Sequence, residues 1–204
     1  MAASALPRGE LTRNAILQAA HDLFIRQGYH GTTMRQIAQG AHLALGGLYN
    51  HFPSKEKVFE AVFLTFHPYH EVLPLIAAAR GDDLAQLVQD AFQRMRQAFK
   101  DRPDFMNLMF IEMVEFNSIH ARQLYGQLFP QGVQIMQRLT SAYPEQLRHI
   151  SAPMVVRTFL GVFFGYYLTE TAFTPAVPLA FQENAMQFFV DIYLHGILAA
   201  TDVS

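Results

Sequence analysis

Apolar residues recur every three to four positions along most of the chain, which is the spacing of one face of an α-helix. The first such stripe lies between about residues 12 and 27 and ends at Gly28. A glycine just beyond the last turn is typical of a helix end. Runs that alternate apolar and polar residues between turn signals, the pattern of half-buried strands, do not stand out in the sequence. The pattern therefore predicts an all-α fold.

Two short helices follow the first stripe. The hydroxyls of Thr32-Thr33 suit the start of a helix over about residues 33–39, and Gly40 follows its end. A further short helix is predicted over about residues 44–50. Together with the first stripe, these helices make an N-terminal three-helix domain that we predict over residues 1–54.

Longer helices fill the rest of the chain, which we predict as a second, larger domain over residues 55–204. Ser54 suits the start of the first of them, and prolines and glycines separate the others. Their approximate bounds are 55–66, 82–100, 104–116, 121–142, 153–173 and 179–200.

The last two helices are the most apolar in the chain. A helix that is apolar on nearly all sides must be buried on nearly all sides, and a second copy of the chain would provide that cover. The alternative is that both helices form this chain's own core. The residues that we predict at a dimer interface are Val156, Phe159, Phe163, Tyr167, Phe188, Phe189 and Ile192.

Composition narrows the class of protein. Charged residues make up 16% of the chain, against roughly 25% in typical soluble domains, which favours an apolar surface covered by another subunit. The sequence holds no cysteine, so disulfides and thiolate metal sites are excluded, and a cytoplasmic location is expected. The most apolar stretch, residues 158–169, is shorter than the roughly 20 residues of a membrane span, so no membrane partner is expected.

Charge is distributed unevenly along the chain. The net charge is −2, but residues 1–57 hold six basic and three acidic side chains, and the remainder holds nine basic and fourteen acidic ones. A mildly basic N-terminal end suits a polyanionic partner at that end.

The first three helices meet the requirements of a helix-turn-helix, which places its second short helix in the major groove of DNA. Ile37, Leu43 and Leu48 supply apolar contacts between the helices. Ala38 is small enough for a close crossing, and Gly40 loosens the backbone at the turn. The last of the three helices has one to two turns, which fits a groove about 12 Å wide. The motif predicts a DNA-binding domain.

Residues 12–60 resemble the DNA-binding domain of the TetR family of transcriptional regulators. The positions that carry the resemblance are Ala19-Ala20, Leu23-Phe24, Gly28-Tyr29, Thr32-Thr33, Ile37-Ala38, Ala41, Gly46, Leu48-Tyr49, His51-Phe52 and Lys55-Glu56. The resemblance covers about a quarter of the chain. It implies an N-terminal helix-turn-helix domain followed by a helical domain for ligand binding and dimerisation.

Candidate DNA contacts follow from side-chain chemistry. A threonine at a helix start can donate its hydroxyl and amide to a phosphate, and an arginine can reach guanine O6/N7 or a phosphate. The resemblance implies that the base-reading residues are Arg35, Leu45 and Gly46. It implies that the phosphate-binding residues are Thr33, Gly47, Tyr49, His51 and Lys55.

Other roles stay open for several of these residues. Tyr49 and Phe52 also suit a domain core, His51 also suits a helix cap, and Arg35 also suits a solvated surface. Gly47 is also explained as a weak point in a helix with no DNA contact.

Three positions depart from the family pattern. His42 stands where the turn usually has glycine, and a left-handed backbone there costs a non-glycine residue about 1 kcal/mol. Ala44 replaces the usual capping serine, at a cost of roughly 1 kcal/mol. Leu45 replaces a commonly polar residue and suits contact with a thymine methyl group. These changes affect which operator sequence the domain is expected to bind.

Methionine and aromatic side chains recur on adjacent helices of the second domain. Methionine adapts its shape and suits a pocket for varied apolar ligands, although the same pattern is also that of a core. The predicted pocket residues are Met95, Phe99, Met106, Met109, Phe110, Met113, Phe116, Phe163 and Tyr166. Whether Glu112, Glu115 and His120 face this pocket is left open.

The sequence thus predicts a homodimeric, ligand-responsive regulator that binds palindromic double-stranded operator DNA and responds to a small apolar or amphipathic effector. The resemblance implies a repressor that the ligand releases. The alternative is a DNA-binding regulator without a small-molecule ligand, controlled by a protein partner. An enzyme is not expected, because His-Glu-x-x-His spacing, a phosphate loop and a nucleophile elbow are absent from the sequence. No cofactor and no metal are predicted.

Overall fold

The computed structural model describes residues 7–100, 102, 104–147, 150–172 and 183–198, and the regular elements within them are α-helices. The all-α prediction is confirmed. The helices are α1 (Arg8–Gly31), α2 (Met34–Gly40), α3 (Leu45–Tyr49), α4 (Lys55–Phe66), α5 (Tyr69–Ala77), α6 (Leu84–Lys100), α7 (Phe105–Glu115), α8 (Ile119–Thr140), α9 (Ala152–Ala172) and α10 (Ala185–Ile197).

Local signals explain where the first helices begin and end. Gly28 has φ 74° and interrupts α1, after which one further turn runs to Gly31. The Thr33 hydroxyl accepts a hydrogen bond from the Gln36 amide, and the Gln36 side chain accepts one from the Thr33 amide, which forms a capping box at the start of α2. The Ser54 hydroxyl caps α4 in the same way. The predicted starts of α2 and α4 agree with these caps.

Helix α5 was not predicted, because Pro68 and Pro74 were expected to interrupt the chain. Pro74 lies inside the helix. A proline removes one backbone donor from a helix interior. In a helix of nine residues that loss is offset by the burial of Val72 and Ile76.

The last predicted helix, over about residues 179–200, is described in part. Helix α10 covers residues 185–197 of it, and residues 179–182 and 199–200 of the prediction lie outside the described residues.

The chain forms two compact units. The first contains Met1–His67 and Asp104–Leu124, and the second contains Pro68–Pro103 and Tyr125–Ser204. Helices α4 and α7 pack with α1 in the first unit, so this division differs from the predicted boundary after residue 54. The apolar face of α4, which includes Val58 and Val62, is buried in that unit.

Aromatic rings form the core of the first unit. The ring of Phe59 stacks on Phe116 with centroids 4.5 Å apart, and Phe116 also lies 4.9 Å from the ring of Tyr29. Phe24 packs edge-on against Phe59 at 5.4 Å. Helices α1 and α4 and the end of α7 therefore share one set of aromatic contacts.

A buried carboxylate joins α7 to α8. Glu112 is fully buried, and its side chain accepts hydrogen bonds from the amides of His120 (2.7 Å) and Ala121 (3.0 Å) and lies 2.8 Å from His120 Nδ1. It thereby caps the first turn of α8. Asn117 and Ser118, both with positive φ, form the turn between the helices.

The three residues whose orientation the sequence left open all have partners in the first unit. Glu112 and His120 bond to each other, and Glu115 pairs with His30 at 2.6 Å. In this structure Glu112 therefore serves as a helix cap.

The second unit buries aromatic residues of α6, α9 and α10 together. Phe92 packs edge-on against Phe159 at 4.9 Å and against Phe163 at 5.7 Å. The Tyr167 hydroxyl donates a hydrogen bond to the Arg102 carbonyl at 2.8 Å. Four residues predicted at a dimer interface lie buried in this chain's own core: Val156, Phe159, Phe163 and Tyr167.

Aromatic residues of α6 pack against this buried face of α9, where Phe92 contacts Phe159 and Phe163 and Phe99 contacts Tyr167. The α10 positions behave differently. Phe188 and Ile192 are 64% and 69% exposed, and Phe189 is partly exposed.

The residues of the predicted ligand pocket fall in both units, so their common pocket stays a prediction. Met95, Phe99, Phe163 and Tyr166 are buried in the second unit. Phe116 belongs to the aromatic core of the first unit, and Phe110 and Met113 of α7 are exposed there. Met106 and Met109 are partly exposed on the same helix. The nine residues therefore do not line one pocket within either unit.

Within the described residues, no helix has the length and apolar character that crossing a membrane requires.

Candidate nucleic-acid interface

The turn between α2 and α3 is held by backbone hydrogen bonds. The Leu43 amide donates to the Ala38 carbonyl at 2.8 Å, and the Ala41 amide donates to the Ile37 carbonyl at 2.9 Å. Ile37, Ala38 and Leu48 are buried, as the predicted contacts between the helices require. These bonds and contacts form a helix-turn-helix in which α3 is the second short helix.

The turn contains the departure from glycine that the sequence indicated. His42 has φ 57°, which is the left-handed region. Histidine tolerates this conformation better than most residues, at a cost of about 1 kcal/mol. The prediction of a left-handed backbone at this position is confirmed.

Helix α3 begins without a side-chain cap. Ala44 is the N-cap residue, with φ −67° and ψ 148°, and no side chain accepts a hydrogen bond from the first turn. The Gly47 amide donates to the Ala44 carbonyl at 2.9 Å, whereas the first amides of a helix have no acceptor within the helix itself. An exposed helix start of this kind is available to an external acceptor such as a phosphate oxygen.

The outer face of α3 carries little side-chain bulk and is open to solvent. Gly46 is exposed and Gly47 is partly exposed, and a Cβ atom added at either one would meet no heavy atom within 4 Å. The Leu45 side chain is partly exposed. Tyr49 is 48% exposed, so the alternative of a core role for this tyrosine is wrong, whereas Phe52 is buried as a core aromatic. The face leaves room for another molecule to approach the backbone closely.

The remaining candidate contacts lie on the surface of the same unit. Arg35 and His51 are exposed. Thr33 is exposed too, although its hydroxyl is 2.9 Å from the Gln36 side chain. Among the described residues, no group of three or more histidine, aspartate or glutamate side chains is arranged to hold a metal ion.

Lys55 has partners that its predicted role did not include. Its ammonium donates hydrogen bonds to the carbonyls of Tyr29 (2.8 Å) and Thr32 (2.9 Å), and it lies 4.1 Å from the centroid of the Tyr29 ring. Two of its three N–H groups are therefore used within the protein. The phosphate contact of Lys55 stays a prediction, and it would have to use the third N–H group.

Tyr29 and Glu56 extend this arrangement. The Tyr29 hydroxyl donates a hydrogen bond to Glu56 Oε1 at 3.1 Å. Burial, with a further contribution from the Glu56 charge, raises the pKa of Tyr29 far above its usual value. Hydrogen bonds from Ser54, the backbone and Tyr29 lower the pKa of Glu56 below its usual value. Glu56 is therefore ionised at neutral pH and acts as an acceptor for Tyr29.

Sequence reasoning missed the contacts of Lys55 because its partners lie 23 and 26 residues away. No helical spacing rule connects positions so far apart. The presence of Tyr29 and Lys55 among the positions that carry the family resemblance was the available signal, but that pattern does not reveal which side chains touch.

The comparisons with known proteins agree with this geometry. Residues 16–62 match the family model described as bacterial regulatory proteins, tetR family. The regulator UidR of Escherichia coli is 40% identical over 53 residues, which are 26% of this chain and 27% of UidR. The regulator RutR of Escherichia coli is 31% identical over 121 residues, 57% of this chain and 54% of RutR. The chain thus matches about a quarter to a half of these curated relatives.

A solved structure shares the fold over nearly the whole chain. It is a putative TetR-family regulator from Mesorhizobium loti, with a TM-score of 0.71 and 21% identity over 95% of this chain and all of that one. Identity at this level supports the fold alone.

Fold and site together define the class: a helical protein with an N-terminal helix-turn-helix followed by a larger helical region. The relatives that it matches are transcriptional regulators and not enzymes. Residues 16–62 match the tetR family model, and the chain is similar to these regulators over part of their length.

Proposed function

We propose that the protein is a transcriptional regulator that binds double-stranded operator DNA through α3. The observation that carries this proposal is the open outer face of α3, where Gly46 and Gly47 leave space beside an uncapped helix start. A backbone with no side-chain bulk lets the helix lie deep in a major groove. The match of residues 16–62 to the tetR family model supports the same role.

Individual DNA contacts follow from exposure and chemistry. Arg35, Leu45 and Gly46 are proposed to face base edges, where an arginine reads guanine and a leucine contacts a thymine methyl. Five further residues are proposed to contact phosphates: Thr33, Gly47, Tyr49, His51 and Lys55. Phosphate contacts fix the register of the helix, and base contacts supply sequence specificity.

The proposed active form is a homodimer on a palindromic operator. A two-fold axis would repeat α3 at roughly 34–36 Å, the separation of successive major grooves on one face of DNA. The proposal is supported by Phe188 and Ile192, which leave an exposed apolar face on α10. Because such a regulator works on the chromosome, we propose that it is cytoplasmic.

A small apolar or amphipathic ligand is proposed to release the protein from DNA, so that it acts as a repressor. The second unit has an apolar cavity, and its lining includes Leu87, Met136, Phe159 and Tyr193. Its volume is about 10 Å³, roughly the room that one water molecule needs. A ligand would therefore have to open this cavity. The free energy of DNA binding would then change by at most the difference between the ligand's binding free energies for the opened and the closed state.

The alternative is a regulator that a protein partner controls, with no small-molecule effector. Thermal unfolding with a panel of fatty acids, steroids and aromatic acids separates the two candidates. A rise of several degrees with one chemical class supports a ligand sensor, and no rise with any class supports control by a partner.

Two glycine variants test the DNA-binding proposal. Gly46→Glu adds a negative charge to the outer face of α3. Gly126→Glu makes the same change on α8, at another exposed helical glycine with nothing within 4 Å. Fluorescence anisotropy with genomic duplexes at low salt should show lost binding for Gly46→Glu and unchanged binding for Gly126→Glu. Equal binding by both variants would contradict the proposed interface.

A further inference from the structure

The segment between α3 and α4, residues 50–54, lies among the proposed phosphate contacts. His51 is exposed within this segment, and Lys55 follows it directly as the first residue of α4. Phe52 differs from its neighbours, because its side chain is only 5% exposed. Packing of a buried ring fixes the path of the chain on either side of it, so Phe52 holds the segment in place.

Arg13 of α1 contacts the Phe52 ring. Its guanidinium carbon lies 4.9 Å from the ring centroid, which is within the range of a cation–π interaction. Arginine suits such a contact because its planar guanidinium stacks on aromatic faces. The contact brings a positive charge of α1 next to the segment that follows α3, although the two residues lie far apart in the sequence.

Within the part of the chain that the structure describes, no carboxylate forms an ion pair with Arg13. Glu10, one turn earlier on α1, is exposed and points its charge elsewhere than at this guanidinium. Arg13 is itself exposed, and a guanidinium carries five N–H donors. The ring contact therefore leaves donors for an acceptor outside the protein, and phosphate oxygens are the acceptors that the DNA backbone offers.

We propose that Arg13 is a further DNA contact, which binds a backbone phosphate beside the major groove that α3 enters. This inference rests on the proposed function. The Phe52 ring holds the guanidinium next to the segment of His51, so that α1 adds one cation to the phosphate contacts made there. Because phosphate contacts carry no sequence information, Arg13 adds affinity for every duplex and no preference among them.

The salt dependence of binding separates a phosphate contact from packing on Phe52 alone. The slope of log K against log salt falls by roughly 0.9 for each phosphate contact that is lost. Arg13→Met removes the charge and keeps a long side chain over the ring. Arg26→Met is the matched control, because Arg26 is another exposed arginine of α1 and its loss changes the net charge equally. At roughly 3.6 residues per turn, the two arginines lie on nearly opposite faces of α1.

The probe is one duplex recovered from a random pool by selection with the wild-type protein. For Arg13→Met we expect a slope smaller by about 0.9 and an affinity roughly five- to tenfold lower at about 0.1 M salt. Arg26→Met should keep both wild-type values. An unchanged slope in Arg13→Met, whatever its affinity, or an equal reduction in both variants would overturn the proposal. If the wild-type protein retains no duplex, the proposed function fails too, which is a different result from failure of this inference alone.

A measurement on the wild-type protein covers the case in which Arg13→Met does not fold. Phenylglyoxal modifies accessible arginine side chains, and peptide mass spectrometry gives the extent of modification at each position. The selected duplex should protect Arg13 from modification and leave the modification of Arg26 unchanged. Equal modification of Arg13 with and without the duplex, or equal protection of both arginines, would overturn the proposal.

Discussion

Glu112 illustrates at the scale of a single residue how a buried charge organises a helix junction. Its carboxylate is fully buried, and the two amides that it accepts from belong to the first turn of α8. A buried carboxylate is stable only when it is bonded in this way, because the desolvation of an unpaired charge costs several kcal/mol. Glu112 stabilises the protein by accepting hydrogen bonds from two amides of α8 and by pairing with His120.

Replacing Glu112 by leucine should therefore destabilise the protein by about 3 kcal/mol, because two amides and His120 lose their acceptor. Glu115→Leu is the control. Glu115 lies on the same helix and pairs with the exposed His30, and an ion pair near the surface contributes less than about 1 kcal/mol. Urea unfolding of both variants measures the difference. Equal midpoints would show that the cap contributes little to stability.

For single residues, the sequence indicated which side chains are exposed or buried better than it indicated which side chains contact each other. Tyr49 is exposed, as its predicted phosphate contact requires, and Phe52 is buried as a core aromatic residue. The contacts of Lys55 and Glu112 were not predictable. The Lys55 bonds join α4 to the end of α1, and the Glu112 bonds cross a turn with two left-handed residues.

At the scale of helices, α3 begins without a side-chain cap. Ala44 already has the extended backbone of an N-cap residue, so a serine there would accept a bond from the first turn without a change of conformation. The uncapped start leaves α3, a helix of five residues, dependent on the burial of Leu48.

Ala44→Ser should stabilise the protein by about 1 kcal/mol. Ala15→Ser is the matched control, because Ala15 is exposed in the interior of α1 and serine there is slightly unfavourable for a helix. The midpoints of thermal unfolding of the two variants give the comparison. If neither variant raises the midpoint, some other acceptor already satisfies the first turn of α3.

Helix bounds followed closely from periodicity and turn residues, and α6, α7 and α9 begin and end within a few residues of the predicted positions. Helix α5 was missed because a proline was taken as an interruption, whereas its burial outweighs one lost backbone bond. The membership of α7 in the first unit was not predictable either. An apolar stripe indicates that one face of a helix is buried, but it does not indicate which helices cover that face.

At the scale of the whole molecule, burial within the chain leaves α10 as the best-supported surface for a second copy. Phe188 and Ile192 lie four residues apart, on one face of the helix, and both are more than half exposed. The proposed dimer therefore depends on a face narrower than the sequence indicated, since the aromatic residues of α9 are already covered within the chain.

Ile192→Glu should convert the proposed dimer to a monomer, because a buried unpaired charge opposes association. Val114→Glu is the control, since Val114 of α7 is another strongly exposed apolar residue, at 74%. Sedimentation equilibrium measures the mass of each variant. A dimer that persists in Ile192→Glu, or a wild-type protein that is monomeric at micromolar concentration, would remove α10 as the interface.

The claim on which all of this depends is that α3 enters the major groove of operator DNA. Selection of bound duplexes from a random pool tests it most directly, followed by protection of the selected bases from methylation in the major groove. We expect a palindrome whose half-sites lie about one helical turn apart, with protection centred on each half-site. A pool that yields no enriched sequence and no retained duplex at low salt would contradict the account.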